Sequence, residues 1–169
     1  MPQKTVTERD MYLQSFEREY PITLKVLKAY PAEKSELKPA EKSKNARELA
    51  WMLVLNQMVV TPTLRGELKP GGMPPPPKSW NEVLATFETA HRDATAKLSQ
   101  LSDEQMNRMI TLPVGPKQMG EVRVADALWR FLSDTIHHRG RFSVYVRLAG
   151  GKLPSIYGPT ADEPWFDMA

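Results

Sequence analysis

Residues 79–101 read SWNEVLATFETAHRDATAKLSQL, and this stretch decides the fold. Leu84, Phe87, His91, Ala94, Leu98 and Leu101 recur at spacings of three and four, which places them on one helical face. Ser79 and Glu82 have the S-x-x-E spacing of a capping box and mark the start. A helix of this length with a single apolar seam must bury that seam against other helices.

Outward from it, the same period recurs. Leu13, Phe16, Tyr20, Leu24 and Leu27 form one face after a T-x-x-D start at Thr7 and Asp10. Pro21 falls inside that run and should kink it, and Pro31 should end it. Leu49, Met52, Leu53, Asn56 and Val60 share the face of a second helix. Leu128, Phe131, Thr135, His138, Phe142 and Tyr145 line a last one, stopped by Gly150 and Gly151. Ser102 and Gln105 can cap a short extra helix. Residues 111–121, with Pro113, Gly115, Pro116 and Gly120, read as a loop or short extended segment.

These signals predict an all-α fold: an antiparallel four-helix bundle, with helices near 8–30, 46–62, 80–101 and 124–149, in one domain over residues 1–169. The tract KPGGMPPPP at 69–77 is neither helix nor central strand. It reads as a stiff, partly polyproline II linker, although such tracts also bind partners. The tail carries Ile156, Tyr157, Trp165 and Phe166, which should pack back on the bundle or on a partner subunit.

Composition narrows the function. With no cysteine among 169 residues, disulfides, thiolate metal sites and a cysteine nucleophile are excluded. The N-terminus lacks a signal-peptide core, and no apolar run is long enough to cross a bilayer. The chain is therefore expected to be cytoplasmic, with no membrane partner. Lys and Arg number 23 against 20 acidic residues, a net charge of +3 that is not gathered into a basic block. No nucleic-acid partner is expected.

The stretch Ser133-Asp134-Thr135-Ile136-His137-His138-Arg139-Gly140 carries the candidate chemistry. Asp134 and His138 are four apart, one turn along the same face, so a carboxylate and an imidazole can address one divalent ion. They also fit a plain Arg130–Asp134–His138 ladder of i, i+4 pairs that supports a helix without metal. His137 should point away from His138, and His91 reads as a buried, hydrogen-bonded histidine with a ligand role open. Gly140 in mid-helix points to a close-packed neighbouring helix or to a kink.

HHRGRFSVYVRLAGGKLPSIYGPTADEP at 137–164 resembles the C-terminal signature of the DinB/YfiT-like family. ARELAWMLVLNQ at 46–57, Tyr20-Pro21 and AHRDATAKLSQLSDEQ at 90–105 are similar to other segments of that family. The resemblance implies an antiparallel four-helix bundle, often a homodimer. It also implies a divalent transition metal (Zn, Ni or Mn) held by three histidines, one on the second helix and two on the last. Those positions hold Met52, Asp134 and His138 here. A thioether is a poor ligand for such ions. The expectation is therefore a degenerate site with no tightly bound metal, in which Asp134 and His138 pair with each other and with Arg130 or water.

Two functions follow from the resemblance. One is an enzyme like the family's metal-dependent transferases and hydrolases, with a low-molecular-weight thiol or other small molecule as cosubstrate. Arg141 and Tyr145 would then bind substrate. The other is a non-catalytic bundle that binds a small ligand or a partner.

Overall fold

The computed structural model describes residues 5–166. Helix α1 (Glu8–Lys28) starts in the expected box: Thr7 Oγ1 accepts from Asp10 N–H while the Asp10 carboxylate accepts from Thr7 N–H. Pro21 sits inside α1 without ending it. Helix α2 (Ala46–Met58) starts at an Asn45–Glu48 box of the same kind.

The second helix is shorter than expected. After Val59 a separate short helix, α3 (Val60–Arg65), turns off, with Pro62 in its first turn, where a missing N–H costs nothing. Helix α4 (Trp80–Leu98) begins at Ser79, yet the expected box there does not form, since the Ser79 side chain makes no capping bond. The Ser102–Gln105 box does form and starts α5 (Asp103–Asn107). Helix α6 (Val124–Leu148) completes the bundle.

Residues 111–121 lie within a hairpin of two antiparallel strands, β1 (Met109–Gly115) and β2 (Gln118–Arg123), with Lys117 at φ 57° in the turn. Ile110 and Leu112 point inward and their neighbours outward, so a short period-two run was present. It covers too few residues to stand out from a helical or loop reading.

Two apolar clusters show how the helices run. Tyr30 and Val26 at the end of α1 share one cluster with the start of α2 (Leu49, Leu53), the start of α4 (Val83, Phe87) and the end of α6 (Phe142, Val146). The start of α1 (Tyr12, Phe16) shares the other with Val60, the end of α4 (Ala94, Leu98) and the start of α6 (Leu128, Leu132). So α1 and α6 run one way, and α2 and α4 run the other. Because α2 and α4 are parallel, the chain between them must return along the full length of the bundle.

The proline tract makes that return. Trp51 Nε1 donates to the Pro74 carbonyl (2.7 Å) and Arg47 donates to the Pro77 carbonyl (3.1 Å), which pins the crossing against α2. Consecutive prolines suit this span, because an extended chain without internal hydrogen bonds covers distance cheaply in residues.

The tail packs on its own chain. Leu153 and Ile156 lie against the first cluster, and Lys25 holds Glu163 at 2.6 Å. Tyr157, Trp165 and Phe166, also expected to pack, have exposed rings, although the Tyr157 hydroxyl reaches inward to Glu19. Gly151 allows the tail to leave: a Cβ there would come within 2.7 Å of the Ala29 carbonyl. Among the described residues no helix is long and apolar enough to cross a membrane.

Candidate functional site

The α2–α6 pair carries the site. Two hydrogen bonds set its register. Tyr145 Oη donates to the Lys44 carbonyl (2.9 Å), and Asn56 Nδ2 donates to Asp134 Oδ2 (2.9 Å). A step toward the end of α2 is thus a step toward the start of α6. Met52, one turn before Asn56, falls level with His138, one turn after Asp134. Of the three positions named from sequence, Met52 and His138 thus lie at one level and Asp134 one turn away, level with Asn56, and Met52 is half-buried.

Asp134 and His138 are in contact: Oδ2 lies 3.2 Å from Nε2. Asp134 Oδ2 also takes the Asn56 amide, so a single carboxylate oxygen joins both helices. Asn56 was legible as a polar residue on the apolar face of α2, but only its partner across the bundle shows its use. Arg130 does not join the ladder; it donates to the Pro113 carbonyl of the hairpin (3.2 Å).

His138 is buried, and its Nδ1 has no hydrogen-bond partner. Burial is the main cause that pushes its pKa down. Asp134 opposes this, while the nearby positive charges of Arg141 and Lys44 reinforce it. The Nε2 side of the ring faces Asp134, while Nδ1 meets no partner among the described residues.

A cleft of about 430 Å³ opens beside the pair, lined by Asn56, Arg130, Phe131, Ser133, Asp134 and His137. His137, exposed, thus reaches the cleft rather than the bundle interior. Arg141 is exposed, whereas Tyr145 is buried with its hydroxyl engaged by Lys44, so neither lines this cleft.

His91 lies elsewhere. It is buried and stacked on Tyr20 at 3.7 Å, with Nδ1 near Gln57 and Nε2 near Glu17. Gly140 meets nothing within 4 Å beyond its own helix, so no close-packed neighbour explains it, and α6 runs through it unbroken.

A network missed in the sequence lies one residue past His138. Arg139 and Glu19 are 1% and 2% exposed and form an ion pair at 2.8 Å. Arg139 also bonds Thr23 Oγ1 (3.0 Å) and the Tyr157 hydroxyl, which donates to Glu19 (2.6 Å). Burial raises the Glu19 pKa, but the bonds from Tyr157 and Arg139 outweigh it and hold the carboxyl below its usual range. The Arg of His-His-Arg-Gly and the Tyr of Ile-Tyr-Gly thus clamp the tail to α1.

The donor set decides what the site can hold. One imidazole and one carboxylate remain, already turned toward each other, with an amide N–H aimed at the carboxylate. Among the described residues no three His, Cys, Asp or Glu side chains are placed around a common point. Catalytic zinc sites use three protein ligands. These residues do not fit a tightly held transition metal.

A bundle of two helices up and two down, with a polar site between the second and last long helices, defines the class, and comparison supplies the family. The DinB family profile matches residues 1–165, and the chain belongs to that family. Among solved structures, a DinB-like protein from Bacillus cereus is 21% identical, with 86% of this chain and 95% of that one covered, at a TM-score of 0.72. The DinB-like protein YjoA from Bacillus subtilis is 22% identical, with 83% and 92% covered, at 0.64. YfiT from Bacillus subtilis, described as a probable metal-dependent hydrolase with an unusual four-helix bundle topology, is 16% identical, with 89% and 93% covered, at 0.63. No curated protein matches significantly.

Proposed function

We propose that this chain is a DinB-family protein that binds a small molecule beside the Asn56–Asp134–His138 triad without a tightly held transition metal. The observation that carries the reading is the 3.2 Å contact between Asp134 Oδ2 and His138 Nε2, with Asn56 Nδ2 on the same oxygen at 2.9 Å. The Asp134 carboxylate is thus engaged by the Asn56 amide and faces the His138 ring, which leaves it turned away from an incoming ion. The adjoining cleft offers an arginine, a serine hydroxyl, a histidine and a phenyl ring to a ligand with polar and apolar parts.

The second reading is a metal-dependent enzyme, and the description of YfiT as a probable metal-dependent hydrolase is what favours it. Metal analysis of protein purified without added metal separates the two. Less than a tenth of an equivalent of any transition metal is the expected result. One equivalent of Zn, Ni or Mn per chain, lost on His138→Ala, would establish the enzyme reading instead.

A further inference from the structure

Helix α6 and the residue that caps it carry five arginines. Arg123 pairs with Glu8 and Asp126, Arg139 with Glu19, and Arg147 with Asp162. The other two, Arg130 and Arg141, meet no carboxylate among the described residues. Arg130 lines the 430 Å³ cleft with His137, and Arg141, four residues past His137, follows on the same stripe of α6. Arg141 makes no hydrogen bond either among the described residues. Lys44, whose carbonyl holds the Tyr145 hydroxyl, stands at that end of the groove and forms no ion pair among the described residues. Between Arg130 and Arg141 along the helix lies His138, 8% exposed, with Nδ1 unpartnered.

The guanidinium of Arg130 is only partly used. Nη1 donates to the Pro113 carbonyl at 3.2 Å, while Nε and Nη2 make no bond. Those two N–H groups form the fork that receives two oxygens of a carboxylate or a phosphate. No acid of the groove fills it. Asp134 is the one carboxylate in the cleft lining, and its Oδ2 already takes the Asn56 amide and faces the His138 ring. Glu48, two turns before Asn56 on α2, accepts from the Asn45 N–H at 2.8 Å and caps its own helix. Arg130, Arg141 and Lys44 thus set unpaired positive charge along one groove, and a cleft lined this way concentrates anions.

We propose that the ligand of the α2–α6 cleft is an oxyanion on a small apolar body. Its charged oxygens sit on the Nε–H and Nη2–H of Arg130 and on a ring N–H of His137, and its apolar part sits on Phe131. Arg141 and Lys44 add attraction from one turn beyond. This rests on the small-molecule reading above, which has its own test in the metal content of the unliganded protein.

The experiment is an NMR titration of the full chain with benzoate, benzamide and benzamidine, which share one ring and one shape but carry an anionic, a neutral and a cationic head. Benzoate should shift the signals of Phe131 and His137, with benzamide at least about tenfold weaker, the advantage of a charge-assisted fork. Benzamidine should shift neither signal. Phenyl phosphate, titrated in parallel, tells a phosphate site from a carboxylate site by which anion binds tighter. The ratio of benzoate to benzamide affinity should fall about fivefold in Arg130→Gln and about twofold in Arg141→Gln, the range of charge pairs from engaged to exposed. Reading the ratio cancels any loss common to both ligands, such as the bond to Pro113. Lys97→Gln, on α4, should leave it unchanged. No benzoate binding, equal affinity for benzamide, or a ratio unchanged in Arg130→Gln would overturn the proposal. Equal affinity would do so while leaving the small-molecule reading in place, whereas a full equivalent of metal in the unliganded protein would remove that reading itself.

Discussion

At the scale of single residues, the position that matters most is Met52. It stands level with His138 across the α2–α6 contact, where a third donor would complete a site. Met52→His combined with Asp134→His should therefore give one equivalent of Zn²⁺ or Ni²⁺ binding by calorimetry, where the parent gives none. A folded double variant that binds neither ion would show that the register is misassigned. The buried Arg139–Glu19 pair makes a different prediction. Arg139→Met removes the buried partner of Glu19 and leaves it only the exposed Arg18 at 3.2 Å, at a cost of about 3 kcal/mol in urea unfolding. Tyr157→Phe removes only the hydroxyl shared by the two, and should cost about 2 kcal/mol. These residues were quoted from the sequence as a signature, but their roles were not legible, because Glu19 lies 120 residues from Arg139.

Among elements, the connection between α2 and α4 carries the information. Its composition showed a stiff linker, and the structure shows what the stiffness spans. Trp51→Phe keeps the packing but loses the bond to the Pro74 carbonyl, for a loss of about 1 kcal/mol. Proteolysis should then begin within residues 69–77, where the parent resists. If cleavage instead starts in the hairpin, the crossing is not held by Trp51. The helices were read well because caps and apolar period are local. The Ser79 box failed because the same four residues can start a helix with no side-chain bond at all. Residues 111–121 read from sequence only as a loop or short extended segment, because a two-stranded ribbon draws its stability from packing on a neighbour, which no window of sequence contains.

For the whole molecule, association is the open expectation. Val144 and Leu148 are 55% and 54% exposed on α6, beside Gly140, whose surroundings are empty within the chain. An exposed glycine in mid-helix costs about 1 kcal/mol against alanine, and a second copy packed there would offset it. Light scattering should give twice the chain mass of 19.2 kDa, and Val144→Glu with Leu148→Glu should return the monomer. A monomer in the parent ends the idea. Stability should also depend on pH. Burial holds the pKa values of both His91 and His138 down, so the unfolded chain binds more protons below its own histidine pKa, and stability is lost as pH falls below about 6.5. Glu19, also held low, adds a further loss as pH falls below its unfolded value of about 4.5. Melting temperature from pH 8 to 4 should fall in two stages, and His91→Gln should flatten the upper one.

The sequence by itself determined that this is an all-α chain, where most helices begin and end, and that Asp134 and His138 face each other. Each of those follows from residues within a turn or two of one another, which the 3.6 period and the caps encode directly. Only the tertiary structure decided that α2 and α4 run parallel, that Asn56 completes the pair, and that Arg139, Glu19 and Tyr157 lock the tail. Those are contacts between segments about 80 to 140 residues apart, or the direction of a helix relative to its neighbours. An apolar face specifies that it must be covered, and many neighbours would cover it equally well. The choice among them is made by shape and by the pairing of buried polar atoms, which exist only once the chain has folded.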